Sequence, residues 1–402
     1  MSDRIVVVDD LAEFGRQGHD WDAVASQFQN PLLSHDWFLS CASSFRGSLH
    51  VVQCWRAGRL TAAAPLVLIG PQRLRRLEVL GARALFEPTG FIYEDAEALA
   101  DLCRGLARLR MPLTLHRVPR DSPVPRALAK ATGRHGWWVT TNGGDCPFAT
   151  LPDTWDAYLQ TRSPQRRYDL RRARRRLEAM GSIEFRFLIP NEPELEGLLR
   201  SALAVESAGW KGRAGSAIEA RPEMRAFIVD YARRASRSGQ LRIGFLDVDG
   251  VPAAVEIGIL ADRRFWVLKI GYDETWSSAS PGLQVLAECI RESIKGGCVT
   301  HEFLGTSEPW ISPWADAHRP YDTLRYYPRN WRGIATWSLD QAQRLRDAQP
   351  LRALSRRRTK PSVSSDVASR PMPSGSGTAT SPLRTSQTRC SSPMPSSSCE
   401  PK

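Results

Sequence analysis

The segment FWVLKIGYDETWSSASPGLQVLAECIRESIKGG, residues 265–297, restricts the fold more than any other part of the chain. An apolar run rich in β-formers breaks into a polar loop, and Ser280-Pro281-Gly282 opens a helix at once. Serine is a favoured helix N-cap, and proline fits the first helical position because its missing N–H costs nothing there. Leu283, Leu286, Ala287, Ile290 and Ile294 then recur at helical spacing, and Gly296-Gly297 stops the run. A helix whose first amides are bare, set at the exit of a strand, is a ready-made anion site. The same residues also suit an ordinary well-capped helix, so the surroundings must decide between the two.

The net charge of +12 could suggest a nucleic-acid binder, but its location argues otherwise. Residues 341–402 hold 11 basic and 3 acidic side chains, and TRSPQRRYDLRRARRR (161–176) holds eight arginines and one aspartate. What remains is a near-neutral body carrying one basic helix and a basic tail. From Ser355 onward, 28 of 48 residues are Ser, Thr, Pro or Gly, a composition expected to stay disordered. The eight cysteines form no CxxC pair and no metal-ligand spacing. Reduced thiols, no bound metal and a cytoplasmic location are therefore expected. No apolar run is long enough for a membrane span, and the N-terminus has no secretory pattern.

Two stretches read as hairpins: residues 50–70 around Ala57-Gly58, and residues 241–260 around Asp249-Gly250. Their second strands both begin with small residues. This suggests a duplicated α/β unit with halves at 1–150 and 151–340, followed by a tail at 341–402. In the second half the pattern predicts helices at 164–180, 192–207 and 222–237. Strands are predicted at 183–188, through the hairpin, at 265–273 and at 300–305. In the first half it predicts helices near 94–109 and 122–135. Mixed strands and helices in this order indicate an α/β fold with a partly antiparallel sheet.

A hairpin, a further strand, a phosphate-ready turn, a helix and another strand resemble the core of the GNAT acyltransferases. ESAGWKGRAGSAI (206–218), LKIGYDETWSSASPG (268–282) and HEFLG (301–305) resemble the CelD/BcsL-like acetyltransferases linked to cellulose and exopolysaccharide biosynthesis. That branch is similar to the FemAB-type double-GNAT proteins. The resemblance implies tandem GNAT-like domains with mixed sheets: a degenerate first one at 1–150 and an acetyltransferase domain at 151–340. It also implies acetyl-CoA as donor and a sugar, sugar precursor or polysaccharide-related acceptor. In two respects the chain departs from its relatives. The usual turn carries two spaced glycines, and this one has only Gly282. FemAB-type proteins commonly show a Tyr-Lys pair where this chain reads Glu308-Pro309-Trp310-Ile311.

Acyl transfer needs a bound thioester, a polarised carbonyl and a group to take the acceptor's proton. The expected donor site is the amides of Gly282, Leu283 and Gln284, capped by Ser280; Arg291 reads first as part of a solvated helix face and otherwise as a further phosphate contact. Glu206, which closes a helix, is the expected general base, with Glu256 in reserve. Asp273 would orient the acceptor or cap the loop, and Tyr272 would donate to the leaving thiolate or simply pack. Trp210 and Lys211 would form a sugar platform. Lys269, read as sharing a strand face with Phe265 and Val267, would line the cleft. His301 and His318 fit no triad and are taken as structural. The Arg-rich helix is read as packed through Tyr168, Ala173, Leu177 and Met180. Its basic face would be solvated or would touch an anionic membrane surface. Two rival functions stand beside this one: an aminoacyl transferase using charged tRNA, and a non-catalytic module binding a partner or nucleic acid.

Overall fold

A computed structural model describes residues 4–88, 90–209 and 218–358, the side chains of 347–358 excepted. The chain divides into a compact unit, Met1–Leu345, and a second unit, Arg346–Lys402. The helix Trp331–Arg358 runs past the expected start of the tail at 341.

The strands of the first half are β1 (Arg4–Val8), β2 (Ser48–Leu49), β3 (Val51–Arg56), β4 (Arg59–Ala64), β5 (Leu66–Ile69), β6 (Arg76–Val79), β7 (Ile92–Tyr93), β8 (Leu113–Pro119) and β9 (Gly136–Thr150). Those of the second half are β10 (Ile183–Leu188), β11 (Leu241–Val248), β12 (Val251–Ala261), β13 (Arg264–Tyr272), β14 (Thr300–Glu302) and β15 (Ala317–Pro328). They form a four-stranded sheet, β1-β3-β4-β7, and an eleven-stranded sheet, β10-β11-β12-β13-β14-β9-β15-β8-β6-β5-β2. Both expected hairpins are present. Ala57 and Asp249 have φ near 50°, and Gly58 and Gly250 follow at 82° and 77°. Left-handed backbone at both central residues matches the twist of the flanking strands, which is why Gly-containing pairs sit there.

The two halves repeat one arrangement. In each, two parallel strands (β6 with β8, β13 with β14) are joined through a crossover containing a helix, Ala96–Leu109 in the first half and Pro281–Lys295 in the second. Each half then ends in a long strand that leaves its own parallel pair for the other's. β9 pairs with β14, β15 pairs with β8, and the two pair with each other over twelve positions. The sheet is thus continuous across the two halves.

The helix Pro281–Lys295 lies on the sheet because one side of it is apolar. Val285, Leu286, Cys289, Ile290 and Ile294 are buried against residues such as Phe265, Val267 and Leu246. Each large side chain so buried contributes about 1.5–3 kcal/mol. The Arg-rich helix, Pro164–Glu178, packs on it through Leu170, Ala173 and Leu177. This stripe differs from the expected one, since Tyr168 and Met180 are exposed. The Gln284 side-chain amide fixes the contact by donating to the Leu170 carbonyl at 2.7 Å.

Candidate active site

The opening between β13 and β14 begins with their short pairing. They are in register only from Arg264 to Trp266 and from Thr300 to Glu302. Beyond that β13 continues with β12 but without β14, because Leu304 and Gly305 turn left-handed and end β14 short of the expected residue 305. A cleft of about 350 Å³ occupies the splay. It is lined by Glu206, Tyr272, Gly282, Arg166, Glu308 and Trp310, with Trp314 beneath.

The helix Pro281–Lys295 presents its N-terminus to this cleft, but Ser280 does not cap it as expected. Its backbone is left-handed (φ 56°, ψ 55°) and its hydroxyl makes no capping bond. An N-cap serine needs an extended backbone to reach the amides of the first turn. Instead, the Ser280 carbonyl accepts from Leu283 N at 3.1 Å. Pro281 has no N–H, and Gly282 has no acceptor one turn back within the helix. The entrance therefore has no side-chain cap among the described residues, and the Tyr272 ring stands beside it. A side chain at 282 would begin 3.1 Å from Tyr272 Cδ1.

Helix Ala96–Leu109, the counterpart in the first half, is the opposite case. The Asp95 carboxylate accepts from Ala98 N at 2.8 Å, placing a negative charge where an anion would sit. Strand β6 is followed by only a four-residue helix, Ala82–Leu85.

Glu206 ends the helix Glu192–Ser207 and is 4% exposed. Its Oε2 accepts from Ile218 N at 3.1 Å. It reaches the strand because residue 271 is glycine: a Cβ there would lie 2.8 Å from Glu206 Cα and 3.1 Å from its Cγ. A side chain at 271 would push the helix off the strand and the carboxylate away from the cleft.

Asp273 takes the local role. Its carboxylate accepts from Thr275 N and Thr275 Oγ1, both at 2.9 Å, and caps the 3₁₀ turn Glu274–Ala279. Lys269 lies opposite Ile257, and Val267 opposite Gly258, so Leu268 is an extra residue in β13. This bulge moves Lys269 off the face shared by Phe265 and Val267, contrary to the simple alternation, and onto that of Ile257. Trp210 and Lys211 lie outside the described residues. Arg291 pairs with Glu288 at 3.6 Å and sits nine residues after Gly282, about 14 Å along the axis and remote from the entrance. Glu256 is fully buried beside His301 and does not line the cleft.

The sequence argument missed Arg166, Glu308, Trp310 and Trp314. Arg166 precedes Leu170, Ala173 and Leu177 by four, seven and eleven residues, which places it on the buried stripe of its helix. Its guanidinium lies over the Trp314 ring at 5.4 Å, and its Nε is buried without a protein partner among the described residues. Trp310 is 42% exposed, and its indole N–H donates to Glu308 Oε2 at 2.7 Å. Trp314 is fully buried, and its carbonyl accepts from Tyr158 Oη and Arg162 Nη1 at 2.9 and 2.5 Å.

Residues 164–311 match the family described as acetyltransferase (GNAT) domain. Among solved structures, FemX is similar over 85% of this chain and 99% of its own, with 11% identity and a TM-score of 0.55. The "C-terminal Domain" of a "Putative Lysylphosphatidylglycerol Synthetase" from Agrobacterium fabrum is similar over 83% of this chain and 96% of its own, with 12% identity and a TM-score of 0.51. No curated protein matches the sequence. The fold is α/β with tandem GNAT-like units, and residues 164–311 are an acyltransferase domain of GNAT type. No helix among the described residues is long and apolar enough to cross a membrane.

Proposed function

We propose that the chain transfers an acetyl group from acetyl-CoA to a sugar, sugar precursor or polysaccharide-related acceptor, and that the transfer takes place in the cleft at the β13–β14 splay. The observation that carries this is the meeting of an uncapped helix N-terminus with a buried carboxylate, Glu206, across one cleft. The Gly282 amide would face the donor's diphosphate with the Ser280 hydroxyl beside it, and the Leu283 and Gln284 amides behind it would contribute through the helix dipole. An acceptor hydroxyl or amine attacks the thioester carbonyl while Glu206 takes its proton, directly or through a water. The carbon–sulfur bond then breaks, and the Tyr272 hydroxyl donates a proton to the departing thiolate. Attack is direct, with no covalent enzyme intermediate. Trp310 supports a sugar acceptor, because an exposed indole at a cleft is a stacking surface for a pyranose. It would act there alongside Trp210 and Lys211.

The link to cellulose or exopolysaccharide synthesis rests on the sequence resemblance alone. In this reading the first half, 1–150, carries no donor site, since Asp95 fills its helix entrance. Arg171, Arg172 and Arg175 form an exposed basic row that would approach an anionic membrane surface from the cytoplasm. One alternative, an aminoacyl group delivered by charged tRNA, rests on the sequence resemblance to FemAB-type proteins.

Calorimetric titration of the full chain with acetyl-CoA tests the donor, beside Gly282→Glu. Saturable binding that the variant lacks supports the reading, because the added carboxylate occupies the helix entrance and crowds Tyr272. A folded native chain that ignores acetyl-CoA but accepts an aminoacyl group from charged tRNA would replace it.

A further inference from the structure

The loop that brings Glu308 and Trp310 into the cleft begins at an unfavourable turn. Leu304 and Gly305 are both left-handed, at φ 55° and 56°. For leucine this backbone is costly, so the surroundings must impose it. What holds the turn comes from the other half of the chain. Gly305 N donates to Glu87 Oε2 at 3.0 Å. Gly305 O accepts from Arg117 Nη2 at 2.5 Å and from Cys146 Sγ at 3.4 Å. Both backbone groups of one glycine are thus held by side chains 159 to 218 residues earlier in sequence.

Arg117 is built for this contact. It is fully buried, and it sits left-handed at φ 49°, where the pairing of β8 with β15 slips. Its guanidinium also donates to the Phe86 carbonyl at 2.6 Å and to Cys146 Sγ at 2.8 Å, and it lies over the rings of Phe86 and Tyr321. A buried arginine is expensive unless its donors are used. Here its two Nη groups are spent on the turn and its immediate support, while its Nε has no hydrogen-bond partner among the described residues. Burial pushes the Glu87 carboxyl up to about 7, while the Gly305 amide, Lys269 and Arg117 pull it back. The far end of the same loop is pinned by the second half, through Tyr158 and Arg162 on the Trp314 carbonyl.

We propose that the first half acts on the second-half site as a clamp: Glu87 and Arg117 grip the Leu304–Gly305 turn and so set the position of Glu308 and Trp310 in the cleft. This rests on the cleft being the acyl-transfer site. The role is one of positioning, since neither residue lines the cleft.

Hydrogen–deuterium exchange of the full chain, followed at residues 303–312, tests the clamp with three variants. Glu87→Ala removes the acceptor, Glu87→Asp withdraws it by one methylene, and Glu87→Gln keeps an oxygen in place. The hairpin 241–261 reports whether each variant is folded. Exchange at 303–312 should rise about tenfold in the Ala and Asp variants and stay near the native rate in Gln, with the hairpin unchanged. If Ala does not fold, Asp decides alone. A folded Asp variant with native exchange at 303–312 would overturn the clamp, and so would a Gln variant as loose as Asp. Titration of the native chain with acetyl-CoA separates the two ideas. Absence of donor binding would remove the donor assignment, while the exchange result would still decide the clamp.

Discussion

Beneath the helix Pro281–Lys295, Glu256 and His301 face each other in the core with Nε2 and Oε1 3.5 Å apart, both fully buried. His301 stacks on Phe265, and its Nδ1 lies 3.5 Å from Ser293 Oγ. Burial holds both groups neutral. It raises the Glu256 carboxyl well above the usual carboxylate range, with the Cys289 thiol a weaker opposing influence, and it lowers His301 to about 3. In the folded state Glu256 keeps a proton that the unfolded chain releases above pH 4.5. Its contribution to stability is therefore full below pH 4.5 and falls as pH rises, by about 1.4 kcal/mol per unit until the folded carboxyl titrates. Glu256→Gln removes the titration and keeps the shape. Urea unfolding of both proteins at pH 6, 7 and 8 should show the variant gaining on the native chain as the pH rises, while pH effects common to both cancel. A difference that does not change with pH would mean that Glu256 is ionised in the folded protein, and the neutral-pair argument would be refuted. His301 acts in the opposite sense: its contribution is full above pH 6.5 and is lost as pH falls towards 3.

Three further outcomes follow from the cleft and from the Arg-rich helix. Gly271→Ala puts a methyl group 2.8 Å from Glu206 Cα, so it should cost about 1–3 kcal/mol in thermal or urea unfolding and abolish turnover by displacing the carboxylate. Glu206→Gln should lower turnover by about 10²–10⁴-fold, with acetyl-CoA affinity unchanged by calorimetry; full activity would end its assignment as base. Replacing Arg171, Arg172 and Arg175 together with glutamate should abolish binding to vesicles containing anionic lipid and leave donor affinity intact. Vesicle binding that survives the change would place the membrane contact elsewhere.

What the sequence made legible follows from how local each signal is. The helices Glu192–Ser207 and Pro222–Arg237 and strand β10 announce themselves through periodicity, and both hairpins through their Gly turns. Strands β9 and β15 do not. They contain Gly143, Gly144, Pro147, Pro320 and Pro328, and their faces pack against partners from the opposite half, so no local alternation marks them. Lys269 was placed on the wrong face because a one-residue bulge leaves no mark in a sequence of strand-formers. Ser280 shows the same limit at a cap, where residue type suggested a hydroxyl bond that the left-handed backbone rules out. Glu87 and Arg117 lay further out of view, since their partner, Gly305, is about two hundred residues away.

The crossing of β9 and β15 bears on the domain boundary read from the repeat. A cut after Thr150 falls at the end of β9 in sequence, yet β9 lies between β14 and β15 of the second half. A chain of residues 151–345 would lose twelve paired positions along β15 and three along β14, together with the Glu87–Arg117 grip on Gly305. Unpaired backbone groups on inner strands are costly. Residues 151–345 made alone should therefore be insoluble or unable to bind acetyl-CoA, and co-production with residues 1–150 should restore both. If the isolated second half folds and binds acetyl-CoA with native affinity, β9 is dispensable and the clamp serves only the acceptor side. If it folds and binds nothing, the donor site itself depends on strands from the first half.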